Sequence, residues 1–168
     1  MRLSRTLAVV TTLLAALAGT AALPTTASAA QPADVFLDEL VNYNSGYCLA
    51  TSLSPNEQPV VQTSCGSQAS YWDIYDEGGN QQEIQSSYGN YKCVAARGFS
   101  ESPAVATGCN FGFADQLWRV SHDYTNDVYQ FQNVNSGLCL AVRGTASGTR
   151  AIQTTCGSWA DQWWYLAG

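Results

Sequence analysis

The sequence predicts an all-β domain made of three homologous units of about 46 residues around a pseudo-threefold axis. The units are visible as a repeat, because residues 42–50 (NYNSGYCLA) return almost unchanged at residues 133–141 (NVNSGLCLA). Trp72, Trp118 and Trp164 end successive units at intervals of 46 and 46 residues. Within a unit, as in residues 129–133, hydrophobicity alternates with a period of two, which is typical of strands and not of helices.

The second half of each unit repeats as well. The three copies of this second half are residues 60–66, 105–109 and 151–157. The first half, already seen at residues 42–50 and 133–141, has a third and weaker copy at residues 86–95. About four strands fit into each unit at the usual spacing of roughly 8 to 12 residues per strand and turn. One such unit cannot bury its apolar face alone, whereas three units that close around an axis share one aromatic core and leave no sheet edge bare.

The N-terminal segment has the pattern of a secretory signal peptide. Arg2 and Arg5 precede an apolar stretch at residues 7–17, and Ala27-Ser28-Ala29 supplies the small residues of a cleavage site. We therefore expect a signal peptide at residues 1–29, a short extension at 30–35, and one domain at 36–168 with no second domain. The apolar stretch is too short for a membrane anchor, so the mature protein is expected to be secreted and not inserted in a membrane.

Composition narrows the possible partners. Charged residues make up 12% of the chain, the formal net charge is -6 and the isoelectric point is about 4.4. This balance excludes a basic nucleic-acid-binding surface, and the 46% hydrophobic content excludes a disordered tail. We expect a monomer that binds neither nucleic acid nor anionic lipid.

Six Cys in so short a chain indicate disulfides formed in an oxidising compartment. The repeat leaves two symmetric pairings, either within each unit or between the second Cys of one unit and the first Cys of the next. The within-unit pairing is preferred, because its separations are nearly constant at 17, 16 and 17 residues. It joins Cys48 to Cys65, Cys93 to Cys109 and Cys139 to Cys156. A metal site is not expected, because there is no Cys-x-x-Cys and only one His.

The repeated units resemble a known family. Gln116-Leu117-Trp118 and Gln162-Trp163-Trp164, together with two Cys per unit, are similar to the Gln-x-Trp repeats of the ricin B-type lectin domain, a β-trefoil. The resemblance covers residues 36–168. It implies that Trp72, Trp118 and Trp164 are core residues and not sugar platforms. The first unit departs from the pattern, because Ser70 replaces the Gln.

The resemblance also implies where a sugar would bind, and this chain departs from that pattern in every unit. Sugar-binding members carry an Asp two residues after the first Cys and an aromatic ring two residues before the second. The Asp positions hold Ala50, Ala95 and Ala141, and the ring positions hold Thr63, Thr107 and Thr154. Because a sugar needs both a ring and hydrogen-bonding acceptors, any sugar site is expected to lie elsewhere.

Several polar and aromatic residues remain as candidates for a displaced carbohydrate site. They are Gln62, Asp115, Gln116, Arg143, Gln153, Trp159, Asp161, Gln162 and Trp163. The leading cluster is Trp159 with Trp163, near Asp161 and Arg143. The glutamines have an alternative interpretation, in which their amides satisfy buried backbone groups in tight turns.

The sequence therefore predicts a secreted carbohydrate-binding protein without catalytic activity or a cofactor. Catalysis is not expected. His122 lies between the adjacent Ser121 and Asp123, and neighbouring residues in the chain cannot converge as a catalytic triad. Nothing in the sequence singles out two carboxylates as the pair that glycoside hydrolysis needs. The alternative hypothesis is a trefoil that binds an extracellular protein, for instance a protease inhibitor. It would use the loops at residues 53–59, 97–103 and 143–150, held on a rigid base.

Overall fold

The structure is a computed structural model that describes residues 37–55, 57–89 and 91–168. The predicted signal peptide at 1–29 and the extension at 30–35 lie outside the described residues. Among the described residues, no helix has both the length and the apolar character needed to cross a bilayer.

The described residues form twelve strands in three groups of four. The first unit contains β1 (Leu37–Asn42), β2 (Cys48–Thr51), β3 (Gln58–Thr63) and β4 (Tyr71–Gly78). The second contains β5 (Gln81–Ser86), β6 (Lys92–Ala96), β7 (Ala104–Gly108) and β8 (Leu117–Asp123). The third contains β9 (Val128–Asn133), β10 (Cys139–Ala141), β11 (Ile152–Thr154) and β12 (Trp164–Ala167). Short 3₁₀ turns at Gln68–Ser70 and Ala160–Gln162 lead into β4 and β12.

Six of the strands close into a barrel. All neighbours in it are antiparallel, and the pairs are β1 with β4, β4 with β5, β5 with β8, β8 with β9, β9 with β12, and β12 with β1. The other six strands form the hairpins β2–β3, β6–β7 and β10–β11. A β3–β7 pairing and the bridges Val61–Arg150 and Pro103–Ile152 join the hairpins to one another. The predicted β-trefoil of three similar units is thus confirmed.

The three repeated tryptophans lie in the core. Trp72, Trp118 and Trp164 are each fully buried. Their indole Nε1 groups donate to backbone carbonyl oxygens of the hairpin strand in the same unit, at 2.8, 3.0 and 3.4 Å; the acceptors are Leu49, Val94 and Leu140. Each indole therefore packs in the apolar core and, through its N–H, holds the hairpin of its own unit against the barrel. This double role explains why a Trp recurs at this position.

The disulfides have the within-unit pairing. The bonds are Cys48–Cys65, Cys93–Cys109 and Cys139–Cys156. Each joins the start of the first hairpin strand to the loop that follows the second, so each hairpin is a covalently closed loop. Closing a loop of this length stabilises the fold mainly by restricting the unfolded chain, by about 3 kcal/mol in the simple entropic description.

A buried carboxylate replaces the missing Gln of the first unit. In the third unit, Gln162 Oε1 accepts a hydrogen bond from the backbone N–H of Gly157, directly after the second Cys. In the first unit the corresponding N–H, that of Gly66, is bound by Glu39 Oε1 at 2.6 Å instead. Glu39 also accepts from the hydroxyl of Ser70, the residue that replaces the Gln. The unit keeps its turn because a neighbouring strand supplies the acceptor.

Candidate functional site

Two of the candidate glutamines connect neighbouring units. Gln62 is fully buried, donates from Nε2 to the carbonyl oxygen of Gly144 at 3.1 Å, and accepts from Ser45 Oγ at 2.6 Å. Gln153 is also fully buried and donates to the carbonyl oxygen of Arg97 at 2.9 Å. Both amides therefore hold a loop of the adjacent unit against the hairpin that carries the Gln.

The other two candidate glutamines stabilise turns within their own units. Gln116 Oε1 accepts from the backbone N–H of Asn110 at 2.7 Å, and Gln162 Oε1 accepts from that of Gly157 at 2.8 Å. Their Nε2 groups donate to backbone carbonyls of the same turns at 3.0 and 2.9 Å. The amides of all four glutamines are thus engaged with the protein itself.

A surface groove of about 560 Å³ lies where the third unit meets the first. It is lined by Asn44, Arg143, Gly144, Trp159, Ala160 and Asp161. Asn44 comes from the turn between β1 and β2, Arg143 and Gly144 follow β10, and the remaining three precede β12. The groove brings together three of the predicted residues, Arg143, Trp159 and Asp161.

Trp159 supplies the exposed ring of the groove. Its side chain is 61% exposed, the largest exposure among the tryptophans of the described residues. The indole lies against the backbone of Gly157, where an added Cβ would come within 2.2 Å of ring atom Cζ3. The absence of a side chain at Gly157 therefore allows the indole to rest on the backbone.

Arg143 is held by a hydroxyl of β11 and a carboxylate of the second unit. Its Nη2 atom lies 2.9 Å from Thr154 Oγ1 and 3.0 Å from Glu101 Oε1. Thr154 Oγ1 also donates to Glu101 Oε1 at 2.6 Å. Thr154 stands where sugar-binding relatives are expected to carry the aromatic ring. In this chain that position belongs to a hydrogen-bonded cluster that orients the guanidinium.

Asp161 keeps one carboxylate oxygen, Oδ2, free of a direct hydrogen bond to Arg143. The backbone carbonyl oxygen is anchored, because it accepts from Asn42 Nδ2 and from the N–H of Val142, both at 3.0 Å. The side chain is 18% exposed, and Oδ2 lies 3.8 Å from Arg143 Nε, too far for a direct hydrogen bond. Oδ1 is buried and has no hydrogen-bond partner among the described residues. The main chain thus fixes an acceptor at the side of the groove.

The second unit has the same Arg–Asp pair, but there the two side chains are in direct contact. Arg97 and Asp115 occupy the positions of Arg143 and Asp161, but here Arg97 Nε lies only 2.6 Å from Asp115 Oδ2. Arg97 Nη1 also binds Glu57 Oε2 at 2.8 Å, and the bond to Asp115 is the main cause that raises the pKa of Arg97. Phe113 replaces the Trp and is 51% exposed. The carboxylate is thus occupied by the guanidinium.

The remaining predicted residue, Trp163, lies outside the groove. It lines a smaller hollow of about 240 Å³ with Tyr43, Asp123, Asn126, Val128 and Ser158. Trp163 is half-buried. The two tryptophans that are close in sequence therefore face different depressions.

Sequence reasoning missed Asn44, Gly144 and Ala160 in the groove and Tyr43, Asp123 and Asn126 in the hollow. Only Asn44 had a signal, since it belongs to the repeated Asn-Ser-Gly turn that the first and third units share. Asp123 and Asn126 lie in and beside the β8–β9 turn, which is outside the repeat.

Two groups of side chains in the described part of the chain have the spacing of metal ligands. They are Glu39 with Cys48 and Cys65, and Glu83 with Cys93 and Cys109. All four sulfurs are in disulfides, so neither group offers the thiolate that binds zinc.

Comparisons of sequence place the chain among known domains. The profile of the ricin-type beta-trefoil lectin domain matches residues 37–130, and that of the ricin-type beta-trefoil lectin domain-like family matches residues 114–168. A comparison with curated proteins gave no significant match.

Solved structures with a similar fold include a designed threefold-symmetric protein, ThreeFoil. It has a TM-score of 0.72 and 23% identity, over 78% of this chain and 97% of ThreeFoil. The Macrolepiota procera ricin B-like lectin in complex with lactose has a TM-score of 0.66 and 17% identity, over 82% and 98% of the two chains. An exo-β-1,3-galactanase from Clostridium thermocellum has a TM-score of 0.73 and 22% identity, over 81% of this chain but only 31% of the galactanase.

These identities show a shared fold, and the sequence profiles, one of which covers more than half of the chain, show the family. The repeat, the barrel with three hairpins and the buried tryptophans agree with it. The chain belongs to the family of ricin-type β-trefoil lectin domains.

Proposed function

We propose that this protein binds carbohydrate through the groove at Trp159, without acting on it chemically. The observation that carries the proposal is an exposed indole beside a carboxylate that retains acceptor capacity. A sugar has an apolar face of C–H groups, which stacks on an aromatic ring, and hydroxyls, which donate to charged acceptors. Trp159 and Asp161 offer these two groups, and Asn44 adds a carboxamide.

The size of the groove agrees with this proposal. Its volume of about 560 Å³ falls in the range of roughly 300–1,000 Å³ that small-ligand sites occupy. Membership in a lectin-domain family supports the ligand class, and the Macrolepiota procera relative was solved with lactose. The site itself is displaced from the family's usual one, because Thr154 and Ala141 replace the ring and the Asp there.

The absence of catalysis is part of the proposal. Glycoside hydrolysis needs two carboxyl groups on either side of the scissile bond. Asp161 is the only carboxylate among the residues that line the groove. We also propose that residues 1–29 direct secretion, which the three disulfides support, because such bonds persist in oxidising compartments.

The protein-binding alternative has less support from the structure. All three of its loops take part in contacts between neighbouring units, since Glu57 binds Arg97 and Glu101 binds Arg143. These contacts use charged groups that would otherwise be free to recognise a protein.

A glycan array combined with pull-down on insoluble polysaccharides tests the function. The wild-type protein should bind at least one glycan, and Trp159→Ala should weaken that binding about tenfold or more, since the stacking surface is lost. Tyr124→Ala is the matched control, because Tyr124 is 87% exposed and outside the groove. Absence of binding to every glycan would refute the function, and equal effects of both substitutions would refute the site.

A further inference from the structure

The hollow that contains Trp163 offers the same kinds of groups as the groove. Tyr43 is 41% exposed, and Trp163 adds a second ring. Asp123, Asn126 and Ser158 add a carboxylate, a carboxamide and a hydroxyl. Aromatic surface next to several hydrogen-bonding groups suits a sugar residue as it does in the groove.

The polar side of the hollow is held in place by its own hairpin. Asp123 Oδ2 accepts from Asn126 Nδ2 at 2.7 Å, and Oδ1 accepts from the backbone N–H of Thr125 at 2.9 Å. The bond from the Asn126 side chain is the main cause that lowers the pKa of Asp123. The group is therefore a fixed carboxylate at neutral pH. An ionised carboxylate has about four acceptor positions, so it can accept further bonds from a ligand.

The hollow and the groove share a thin wall. Consecutive residues face the two depressions at two places, with Tyr43 on the hollow and Asn44 on the groove, and likewise Ser158 and Trp159. Neighbouring Cα atoms are only about 3.8 Å apart. The backbone N–H of Tyr43 donates to the carbonyl oxygen of Trp163 at 2.9 Å, which joins the two residues whose rings line the hollow.

The volume of the hollow argues against an independent site. At about 240 Å³ it is smaller than the roughly 300–1,000 Å³ typical of small-ligand sites. A ligand that already occupies the groove can extend across the thin wall and fill it at little further cost, because its first part is already immobilised.

We propose that the groove and the hollow together bind successive residues of one oligosaccharide chain, with Trp159 as the platform for one residue and Trp163 and Tyr43 for another. This inference rests on the proposed function. The charges favour a neutral chain, since Asp161 and Asp123 lie at the two depressions, Arg143 of the groove is paired with Glu101, and the net charge of the protein is -6.

The experiment measures affinity against chain length. Isothermal titration calorimetry with the full protein uses cello-, xylo-, laminari-, chito- and β-1,3-galacto-oligosaccharides of increasing length, from one residue to six. In the series that binds, affinity should rise about fivefold to tenfold between the disaccharide and the tetrasaccharide. The double variant Tyr43→Ala/Asn126→Ala should lose this increase and keep the affinity for the shortest ligand that binds. Tyr124→Ala, in the same hairpin as Asn126, is the control.

The outcomes separate this inference from the proposed function. Binding that reaches its full strength at the disaccharide would overturn the extended site and leave the Trp159 groove intact. An equal loss at every chain length in the double variant would also overturn it, because the hollow would then act only through folding; thermal unfolding of the variant identifies that case. If no oligosaccharide of any length binds to the wild type, both proposals fail.

Discussion

The Oδ2 atom of Asp161 lies 3.8 Å from Nε of Arg143, whereas the corresponding atoms of Asp115 and Arg97 are 2.6 Å apart. The pseudo-threefold axis therefore relates two Asp–Arg pairs that differ in whether the two side chains are in direct contact. The pair in the second unit is a hydrogen-bonded ion pair. The pair in the third unit leaves Oδ2 of its carboxylate without a direct hydrogen bond to the guanidinium, and of the two pairs only this one has a Trp beside it.

This difference predicts unequal effects of the two carboxylates on binding. Asp161→Asn should weaken binding of the best glycan about tenfold or more, since hydrogen bonds to charged groups contribute about 1.5–3 kcal/mol. Asp115→Asn should change it by less than about twofold, because Arg97 already occupies that carboxylate. Isothermal titration calorimetry measures both. Similar losses in the two variants would show that the units do not differ in this way.

Gly157 is predicted to control the platform without contacting the ligand. In Gly157→Ala the new Cβ would overlap the indole of Trp159, which must then move. Glycan binding should fall nearly as far as in Trp159→Ala, while the melting temperature changes little, because the displaced ring is already exposed. Gly108→Ala is the control, since a Cβ at Gly108 would meet nothing within 4 Å. Retained binding in Gly157→Ala would mean that the ring position is unimportant.

Gln153 is predicted to stabilise the fold and not to bind sugar. Gln153→Ala should lower the free energy of unfolding by about 1–3 kcal/mol, because it removes a fully buried amide and leaves the carbonyl of Arg97 without its donor. The folded variant should bind glycan as the wild type does. Denaturant unfolding and calorimetry separate the two effects. A loss of affinity in a variant of unchanged stability would return Gln153 to the binding site.

Glu39 is predicted to compensate for the missing Gln of the first unit. Glu39→Ala removes the acceptor for the N–H of Gly66 and the hydroxyl of Ser70. It should therefore lower the free energy of unfolding by about 1–3 kcal/mol. Glu39→Gln keeps an acceptor and should cost less, as Gln130 occupies this position in the third unit. Chemical denaturation measures both, with the exposed Glu77→Ala as the control. If Glu39→Ala and Glu39→Gln lowered the free energy of unfolding equally, Glu39 would not act as an acceptor.

Glu83 is predicted to make stability depend on pH. It is fully buried, and burial, followed by the charge of Glu77, raises its pKa from 4.5 to about 7. Because the folded protein holds this proton more tightly than the unfolded chain, the stabilisation is present below about pH 4.5 and is lost as pH rises through about 7. The free energy of unfolding of Glu83→Gln should therefore rise by about 3 kcal/mol relative to that of the wild type between about pH 4 and pH 8.

Denaturant unfolding of both proteins across this pH range measures the difference. Glu77→Gln should keep most of the pH dependence, since burial is the larger cause of the shift. A constant difference between Glu83→Gln and wild type would contradict the raised pKa.

The repeat was sufficient to predict the trefoil because the fold follows from the equal intervals at which Trp and Cys recur along the chain. Three Trp residues at intervals of 46 and 46 residues, with two Cys in each unit, can share a core only if the units close around an axis. The prediction of Arg143, Trp159 and Asp161 as neighbours also depended on short separations along one unit. These residues lie in the two loops on either side of β11, so the local geometry of that unit brings them together.

The partners of the glutamines could not be predicted in this way. Gln62 donates to the carbonyl oxygen of Ala146, which is 84 residues away and in another unit. In sequence, an amide that binds a sugar and an amide that binds a distant loop look the same, since both are polar residues in a β-strand. Only the packing of one hairpin against the next unit shows which group lies opposite.

The sequence by itself determined the number of units, their strands and their buried tryptophans, since these follow from periodicity and burial. The tertiary structure decided where a ligand can bind. Asn44 comes from the first unit and Trp159 from the third, and Trp163 lines the hollow and not the groove although it is only four residues from Trp159. The physical reason is that a binding surface forms where chain segments meet in space, and side-chain direction at that junction depends on contacts between units.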